Sequence, residues 1–292
     1  MDKLVYWLIF PPLWLISILP WKIFYLLSDI VYLFVYHIFK YRYDIVTNNL
    51  VNAFPDKTEK EIKEIRKKFY KHMCDMFMEM IKSITISDQE TQKRYQIINP
   101  DFLNQVESKG KSLMLLAGHY ANYEWGNVID LTTKKRCVGV YKKIKNPHFE
   151  KLVLKMRSRF GSEVVLNNKI MKYAVAKERN SETKGNRIYC LLTDQTPKPN
   201  PKNYMVTFMG QDVPAFVGSE VLARKLDLEI VYFKVNKVKR GFYQVEIVPI
   251  TDNVNSLDKF KATDKYYELL ENQIKEQPEF YLWTHKRWKH AN

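Results

Sequence analysis

The hydrophobic residues of this chain fall into three zones with different spacing. From Leu4 to Phe39 nearly every residue is apolar or aromatic, and Lys22 and Asp29 are the only formal charges. Residues 43–82 carry apolar positions at helical spacing, and from about residue 112 short apolar runs alternate with amphipathic stretches. This order predicts an apolar N-terminal segment, a helical connection and then an α/β body.

The N-terminal zone predicts attachment to a membrane. The run Leu4–Trp21 is uncharged, but Pro11, Pro12 and Pro20 are expected to break it. The following run, Ile23–Phe39, would make a cleaner helix of roughly 25 Å, which is marginal for a span. One kinked span and an interfacial hairpin both remain open, and so does a hairpin buried in the protein core. A cleaved signal peptide is not expected, because the apolar stretch is too long and no small-x-small site follows it.

Basic residues set the boundary and the orientation of this zone. Lys40 and Arg42 close the apolar segment, and the body that follows is strongly basic. Because the cytoplasmic flanks of membrane segments generally carry an excess of Lys and Arg, the body is expected on the cytoplasmic side. We therefore predict an N-terminal membrane anchor over residues 1–42 and one catalytic-size domain over residues 43–292, without internal repeats.

Two helices are predicted between the anchor and the body. Tyr43–Phe54 should form a short helix that ends at Pro55. The capping box that starts at Thr58 and ends at Glu61 then opens a long amphipathic helix. Its apolar residues fall on one stripe, which is typical of a helix packed on a core.

The body predicts a mixed, partly parallel central sheet flanked by helices. The strand candidates are Ser112–Ala117, Arg136–Tyr141, Arg187–Thr193, Tyr204–Phe208, Glu229–Val238 and Phe242–Pro249. The helix candidates are Asn122–Asp130, Pro147–Phe160, Asn168–Arg179, Pro214–Leu226 and Asp264–Glu276. Alternation of the two types indicates an α/β fold, and Lys239-Arg240-Gly241 predicts an antiparallel hairpin between the last two strands.

Composition narrows the function classes. The 292 residues include 47 Lys and Arg against 32 Asp and Glu, a net charge of +15 that favours polyanions: nucleic acid, anionic membrane, phosphorylated lipid or an acidic carrier protein. The three cysteines are widely spaced, which predicts a reduced compartment and no metal site. The sequence lacks the phosphate-loop, Gly-x-Gly-x-x-Gly, Gly-x-Ser-x-Gly and His-Glu-x-x-His motifs, so no nucleotide cofactor and no structural zinc are expected.

The strongest candidate for chemistry is His119, in the turn after the apolar run Leu113–Ala117, with Glu124 five residues later. Two residues five apart in one helix are separated by roughly 140° around the axis, so the histidine must precede the helix. In the first helical turn Glu124 would then reach back to one ring nitrogen and leave the other free to accept a proton. Such a pair arises easily by chance, but the end of a buried parallel strand is where sites in α/β sheets collect.

A longer series of residues resembles one known family over nearly the whole chain. The matching positions are Asn49-Leu50, Ala53-Phe54-Pro55, Gly118-His119, Asn122, Glu124-Trp125, Tyr141-Lys142, Asn146-Pro147, Arg157, Arg159, Gly161, Asp194-Gln195, Phe208, Gly210, Ala215, Gly218, Leu222-Ala223-Arg224, Pro278, Trp283, His285, Arg287 and Lys289. With the apolar N-terminus, this series resembles the late acyltransferases of lipid A biosynthesis, the lauroyl and myristoyl transferases of the Gram-negative inner membrane.

The resemblance implies a fold like that of the glycerolipid acyltransferases. It implies transfer of a fatty acyl chain from acyl-carrier-protein to a hydroxyl of a lipid A precursor, at the cytoplasmic face of the inner membrane. In this interpretation His119 is the base and Glu124 orients it. No acyl-enzyme, cofactor or metal is expected. Membrane lipid is an expected partner, nucleic acid is not, and the protein is expected to be a monomer.

The resemblance also implies residues that bind substrate. Lys142, Arg157 and Arg159 are candidates for the phosphates of the acceptor, and for Arg159 a solvated helix face is an equal alternative. The family usually carries arginine at the position of Lys142. Asp194 and Gln195 end a predicted strand, where they either face the site or brace the loop that holds His119. Arg287 lies in an aromatic and basic tail that suits phosphate-rich headgroups; single-stranded nucleic acid would use the same residue types.

Two rival functions remain at this point. One is an acyltransferase that uses acyl-CoA or acyl-carrier-protein on another glycolipid or aminolipid. The other is a non-catalytic basic protein of the membrane surface, in which His119 is only a satisfied turn residue.

Overall fold

The computed structural model describes residues 2–289, with side chains from residue 5 onward; Met1 and residues 290–292, the outer ends of the two predicted domains, lie outside the described residues. The α-helices of this part are α1 (Asp2–Ile18), α2 (Trp21–Leu33), α3 (Tyr43–Ala53), α4 (Glu59–Lys82), α5 (Asp88–Arg94), α6 (Pro100–Ser108), α7 (Pro147–Arg157), α8 (Ile170–Arg179), α9 (Gly218–Leu226) and α10 (Lys261–Glu276). The strands are β1 (Tyr95–Ile97), β2 (Leu113–Ala117), β3 (Arg136–Tyr141), β4 (Glu163–Leu166), β5 (Arg187–Leu192), β6 (Met205–Phe208), β7 (Gln211–Pro214), β8 (Glu229–Lys239) and β9 (Phe242–Thr251).

Seven strands form one sheet in the order β1-β9-β8-β2-β5-β3-β4. All neighbours in it run parallel except β8 and β9, which are antiparallel and joined through Arg240-Gly241. Gly241 has φ +74°, a left-handed conformation that favours glycine in a tight hairpin turn. The predicted mixed, partly parallel sheet and its terminal hairpin are confirmed.

The centre of the sheet positions the site. Every residue of β2 is buried, and β2 pairs in parallel with β5 so that Ala117 lies opposite Leu192. Because parallel strands end at the same edge, the residues that follow Ala117 and Leu192 emerge side by side. His119 and Asp194 are each two residues beyond these ends.

Several predicted boundaries need correction. The helix predicted from Pro214 begins only at Gly218, because Gln211–Pro214 forms β7, which pairs with β6. The helix predicted over residues 122–130 is a 3₁₀-helix from Tyr123 to Leu131. β1, β4, α5 and α6 were not predicted, since these elements are short and lack a long periodic pattern.

The apolar N-terminus forms two helices and a short π-helical continuation, Phe34–Ile38. Pro11 and Pro12 lie inside α1, so the predicted break at these positions is wrong; the chain bends at Pro20, which precedes the first residue of α2. By length and composition alone, Trp21–Ile38 could cross a membrane. The predicted capping box of α4 is confirmed, with hydrogen bonds in both directions between Thr58 and Glu61.

Candidate active site

His119 is held by Asp194 from the neighbouring strand. The imidazole Nδ1 lies 2.6 Å from Asp194 Oδ1, and the backbone N–H of His119 donates to Asp194 Oδ2 at 3.2 Å. The histidine side chain is 14% exposed and the aspartate side chain 2%. One carboxylate therefore fixes both the ring and the backbone of the turn, and leaves Nε2 as the nitrogen that can accept a proton.

The pKa values of the two groups shift in opposite directions. Burial lowers the pKa of His119, but the charge and the hydrogen bond of Asp194 outweigh this effect, so that the pKa lies above its ordinary value of 6.5. Burial raises the pKa of Asp194, and the charge and hydrogen bond of His119 bring it below its ordinary value. The site thus favours an imidazolium beside a carboxylate, which is the state that follows proton transfer to His119.

The other ring nitrogen faces a polar and an aromatic neighbour. Gln195 Nε2 lies 3.2 Å from His119 Nε2. The ring of Tyr123 meets the imidazole edge-on, with centroids 4.8 Å apart. A substrate hydroxyl that is to lose its proton to Nε2 must take the place of the Gln195 amide.

The turn that carries His119 is fixed from the C-terminal segment. The carbonyl of His119 accepts from Leu282 N–H at 3.0 Å, and Ala121 N–H donates to the Phe280 carbonyl at 2.9 Å. Ala121 adopts φ +49°, a left-handed conformation. A Cβ at Gly118 would lie 2.6 Å from Leu270 Cδ1, so a larger residue before His119 would require the buried Leu270 side chain to shift.

The expectation that Glu124 touches the histidine ring is wrong. Both carboxylate oxygens of Glu124 accept from Arg157 at the end of α7, with distances of 2.8 and 3.0 Å from Nη2 and 3.2 Å from Nε. Asp194 already occupies Nδ1, and the 3₁₀ turn directs Glu124 towards α7 instead. The charge of Glu124 still acts on His119 at longer range and raises its pKa, whereas Arg157 lowers it.

An apolar cavity of about 140 Å³ lies beside Glu124 and Arg157, between the sheet and the 3₁₀-helix. Its walls comprise mainly small and aliphatic residues: Leu115, Ala117, Gly126, Ile129, Cys137, Gly139, Val140, Val164, Cys190, Leu191, Leu192 and Phe233. Tyr123, Glu124 and Arg157 also line it. Because Tyr123 contacts both the cavity and the imidazole, the apolar space begins next to His119.

The remaining predicted site residues are placed differently. Lys142 is exposed in the segment between β3 and α7. Arg287 is only 1% exposed, and its guanidinium donates to Thr196 Oγ1, the Pro214 carbonyl and Tyr267 Oη at 3.1 to 3.4 Å. The prediction that Arg287 binds headgroups is therefore wrong, because its donors are turned inward and hold the tail on the body.

Replacing Arg287 by methionine is expected to destabilise the protein by about 2 kcal/mol, since the acceptors that it satisfies become unpaired in the interior. The KM for the lipid acceptor should stay unchanged. Thermal unfolding in detergent and steady-state kinetics check the two statements, with Lys286→Met as the control at an exposed neighbour. A raised KM at unaltered stability would contradict this role.

Two contacts near the turn are not evident from the sequence pattern. Asn122 donates to Glu79 Oε2 of α4 at 2.7 Å, and its Oδ1 accepts from Trp125 N–H. The side chain of Glu79 is fully buried. His285 accepts from Thr196 N–H through Nε2, and burial lowers its pKa. Asn122 and His285 are among the positions that resemble the known family. For Glu79, no sequence feature other than its position on α4 indicates a role near the site.

Comparison with known proteins identifies the family. The model of the bacterial lipid A biosynthesis acyltransferases matches residues 1–290. The lipid A biosynthesis lauroyltransferase of Escherichia coli K12 is 23% identical over 285 residues, which cover 97% of this chain and 90% of that protein. The lipid A biosynthesis palmitoleoyltransferase of the same strain is 21% identical over 278 residues, 95% of this chain and 88% of that protein.

A third relative, the lipid A biosynthesis acyltransferase of Haemophilus influenzae, is 23% identical over 237 residues, which cover 80% of this chain and 72% of that protein. The resemblance seen in the sequence is thereby confirmed. The alternative of a non-catalytic membrane protein is set aside. The chain belongs to the bacterial lipid A biosynthesis acyltransferase family and is an acyltransferase.

Proposed function

We propose that the protein transfers a fatty acyl chain from acyl-carrier-protein to a hydroxyl of a lipid A precursor, at the cytoplasmic face of the bacterial inner membrane. His119 is the general base and Asp194 its positioning residue. The observation that carries this proposal is the 2.6 Å contact between Nδ1 and Asp194, which leaves Nε2 as the proton acceptor. Tyr123, whose ring meets the imidazole, also lines the apolar cavity that we assign to the alkyl chain. The names of the relatives supply the acceptor class.

The reaction needs a base because an alcohol keeps its proton near neutral pH. As the acceptor oxygen bonds to the thioester carbonyl carbon, His119 Nε2 takes the hydroxyl proton. The C–S bond then breaks, and the thiolate leaves with the proton returned by the imidazolium. Asp194 stabilises this imidazolium, and the thioester is reactive enough that no acyl-enzyme is required.

Glu124 and Arg157 take a supporting role in this proposal. Their ion pair lines the cavity together with Tyr123, so that a guanidinium group lies in the wall of the site. An arginine at this place suits a phosphate group of the acceptor, as does the exposed Lys142. Gln195 gives up its contact with Nε2 when the hydroxyl binds.

The test of the reaction is a transfer assay with membranes and labelled donors. Acyl-carrier-protein thioester is expected to label a lipid A precursor, and lipid A from a deletion strain should lack one acyl chain by mass spectrometry. Unchanged lipid A, or labelling of another glycolipid or aminolipid from acyl-CoA, would favour the rival acyltransferase instead.

The cavity predicts control of acyl-chain length. Gly139 lines it on the same face of β3 as Cys137, and a Cβ there meets its nearest other atom only at 4.0 Å. The change Gly139→Leu should therefore be accommodated and shorten the preferred acyl chain by about two to four carbons, because a leucine side chain fills a comparable length. Competition assays with thioesters of graded length measure this, with Gly139→Ala as the control. An unshifted preference would place the alkyl chain elsewhere.

A further inference from the structure

The second apolar helix is bonded to the body along its inner face. Phe24 is fully buried. The next residue, Tyr25, donates through Oη to Glu79 Oε1 of α4 at 2.8 Å, and one turn after Phe24, Ser28 Oγ donates to Asp75 Oδ1, also at 2.8 Å. Both carboxylates are buried. The inner face of α2 is thus polar as well as apolar, and its polar groups find their partners in the protein.

A network of charges reinforces this attachment. Asp29 of α2 accepts from both terminal nitrogens of Arg240, at 2.8 and 2.9 Å, and Arg240 also donates to Asp75 at 2.6 Å. The side chain of Asp75 is 2% exposed. If α2 left the body to cross a bilayer, Asp29 would enter hydrocarbon without a partner, and Asp75 would lose one of its donors inside the protein. Both changes are costly, so they oppose departure of the helix.

The first apolar helix is attached at both ends. Near its C-terminal end, Thr85 Oγ1 donates to the Ser17 carbonyl at 2.7 Å, and Lys82 Nζ donates to the Leu19 carbonyl at 2.6 Å. Near its other end, the ring of Tyr6 packs against His148 of α7, with centroids 5.6 Å apart. A helix with both ends on the same surface of the body cannot at the same time cross a bilayer away from it.

The outer faces of the two helices are apolar and exposed. We define the outer face by six residues, each of which is 42 to 67% exposed: Trp7, Leu8, Leu15, Leu26, Ile30 and Leu33. Exposed basic residues stand at the ends of α2 and of its π-helical continuation, at Lys22, Lys40 and Arg42. An apolar helix face flanked by basic side chains is complementary to the interface of an anionic bilayer.

We propose that α1 and α2 lie flat in the interface of one membrane leaflet, and that neither crosses the bilayer. The occupant of the outer face is the headgroup and upper acyl region of that leaflet. This placement rests on the proposed function in one respect: a lipid acceptor then reaches the site laterally. α1 contacts α7, and Arg157 at the end of α7 lines the cavity.

A labelling experiment with the full chain tests the topology. Single cysteines are introduced by Asp2→Cys, Lys22→Cys and, on the body, Lys225→Cys, and spheroplasts are treated with a membrane-impermeant maleimide; the parent protein gives the background of its native thiols. We expect all three variants to react only after permeabilisation. Reaction at Asp2→Cys or Lys22→Cys in intact spheroplasts, with Lys225→Cys protected, would overturn the proposal.

A second experiment fixes α1 to the body. Ser17 Oγ and Thr85 Oγ1 lie 3.1 Å apart, so Ser17→Cys combined with Thr85→Cys is suited to a disulfide on oxidation with copper phenanthroline. The oxidised protein should still float with vesicles of phosphatidylethanolamine and phosphatidylglycerol, and its transfer activity should stay within about twofold of the reduced form. Loss of flotation on oxidation, restored by reduction, would show that α1 must leave the body.

Failure of this proposal is distinguishable from failure of the proposed function. Flotation and labelling report the membrane topology without any acyl transfer. Intact flotation without transfer would contradict the reaction alone, whereas transfer with the N-terminus on the opposite side would contradict the topology alone. Light scattering addresses a second copy of the chain as the occupant: a stable dimer in solution that fails to float would also overturn the proposal.

Discussion

The change His119→Ala is expected to lower kcat/KM for acyl transfer by about 10²–10⁴-fold, the usual contribution of a general base. Without the imidazole the acceptor hydroxyl has no group within reach that can take its proton as the C–O bond forms. The loss should appear in kcat, with a KM for the acceptor within about threefold of the parent enzyme, because the base acts in the transition state. Transfer of a labelled acyl chain to purified acceptor measures both constants.

A matched control for this variant is His148→Ala on α7. His148 is also a partly buried histidine with an aromatic neighbour, but it contacts Tyr6 of α1 and not the site. Its activity should stay within about threefold of the parent enzyme. Thermal unfolding of both variants separates loss of the base from loss of the fold. Full activity in a folded His119→Ala protein would exclude His119 as the base.

The position of His119 was predictable because it depends on local signals. The run Leu113–Ala117 is uncharged, it is followed by Gly118, and the structure places the end of β2 at Ala117. Likewise the strand before Asp194 was predicted nearly to its last residue. What the sequence could not give was the order of the strands. β5 lies next to β2, while β3, which follows β2 in the chain, lies one position further out.

This order decides which acid meets the histidine. Glu124 is five residues from His119 and was the natural choice from spacing, whereas Asp194 is 75 residues away. Parallel pairing of β2 with β5 brings Asp194 to Nδ1, and the 3₁₀ turn after Asn122 directs Glu124 to Arg157. A partner set by long-range topology has no period or motif in the chain, so local spacing favoured the wrong acid.

The burial of charged side chains is the other feature that the spacing of hydrophobic residues does not predict. The apolar stripe of α4 identified a helix packed on the core, but Asp75 and Glu79 of the same helix are also buried. Hydrophobic periodicity treats such residues as solvent-facing, and their partners Tyr25, Arg240 and Tyr243 come from distant elements. Arg287 is a second example, because a cation between aromatic residues gives the same sequence pattern whether it is exposed or, as here, buried.

The change Asp194→Asn is expected to lower kcat by about 10²–10⁴-fold and to shift the pH profile. Aspartate accepts a hydrogen bond from the Nδ1–H group of His119. The asparagine amide can instead donate a hydrogen bond to Nδ1 and so select the wrong tautomer of the imidazole. Asp194 raises the pKa of His119, so in the parent enzyme kcat/KM should fall as the pH drops through a value above 6.5, where the base becomes protonated. Without the carboxylate charge this acid limb must move to lower pH.

The size of that movement separates Asp194 from the other acid of the site. Glu124→Gln removes a carboxylate that acts on His119 only at a distance, so its acid limb should move less and its kcat should fall by about tenfold or less. A purely structural role for Asp194 would lower the amount of folded protein without moving the limb. If instead Glu124→Gln produced the larger loss and the larger shift, Glu124 would have to leave Arg157 and approach the ring during catalysis, and the roles proposed for the two acids would have to be exchanged.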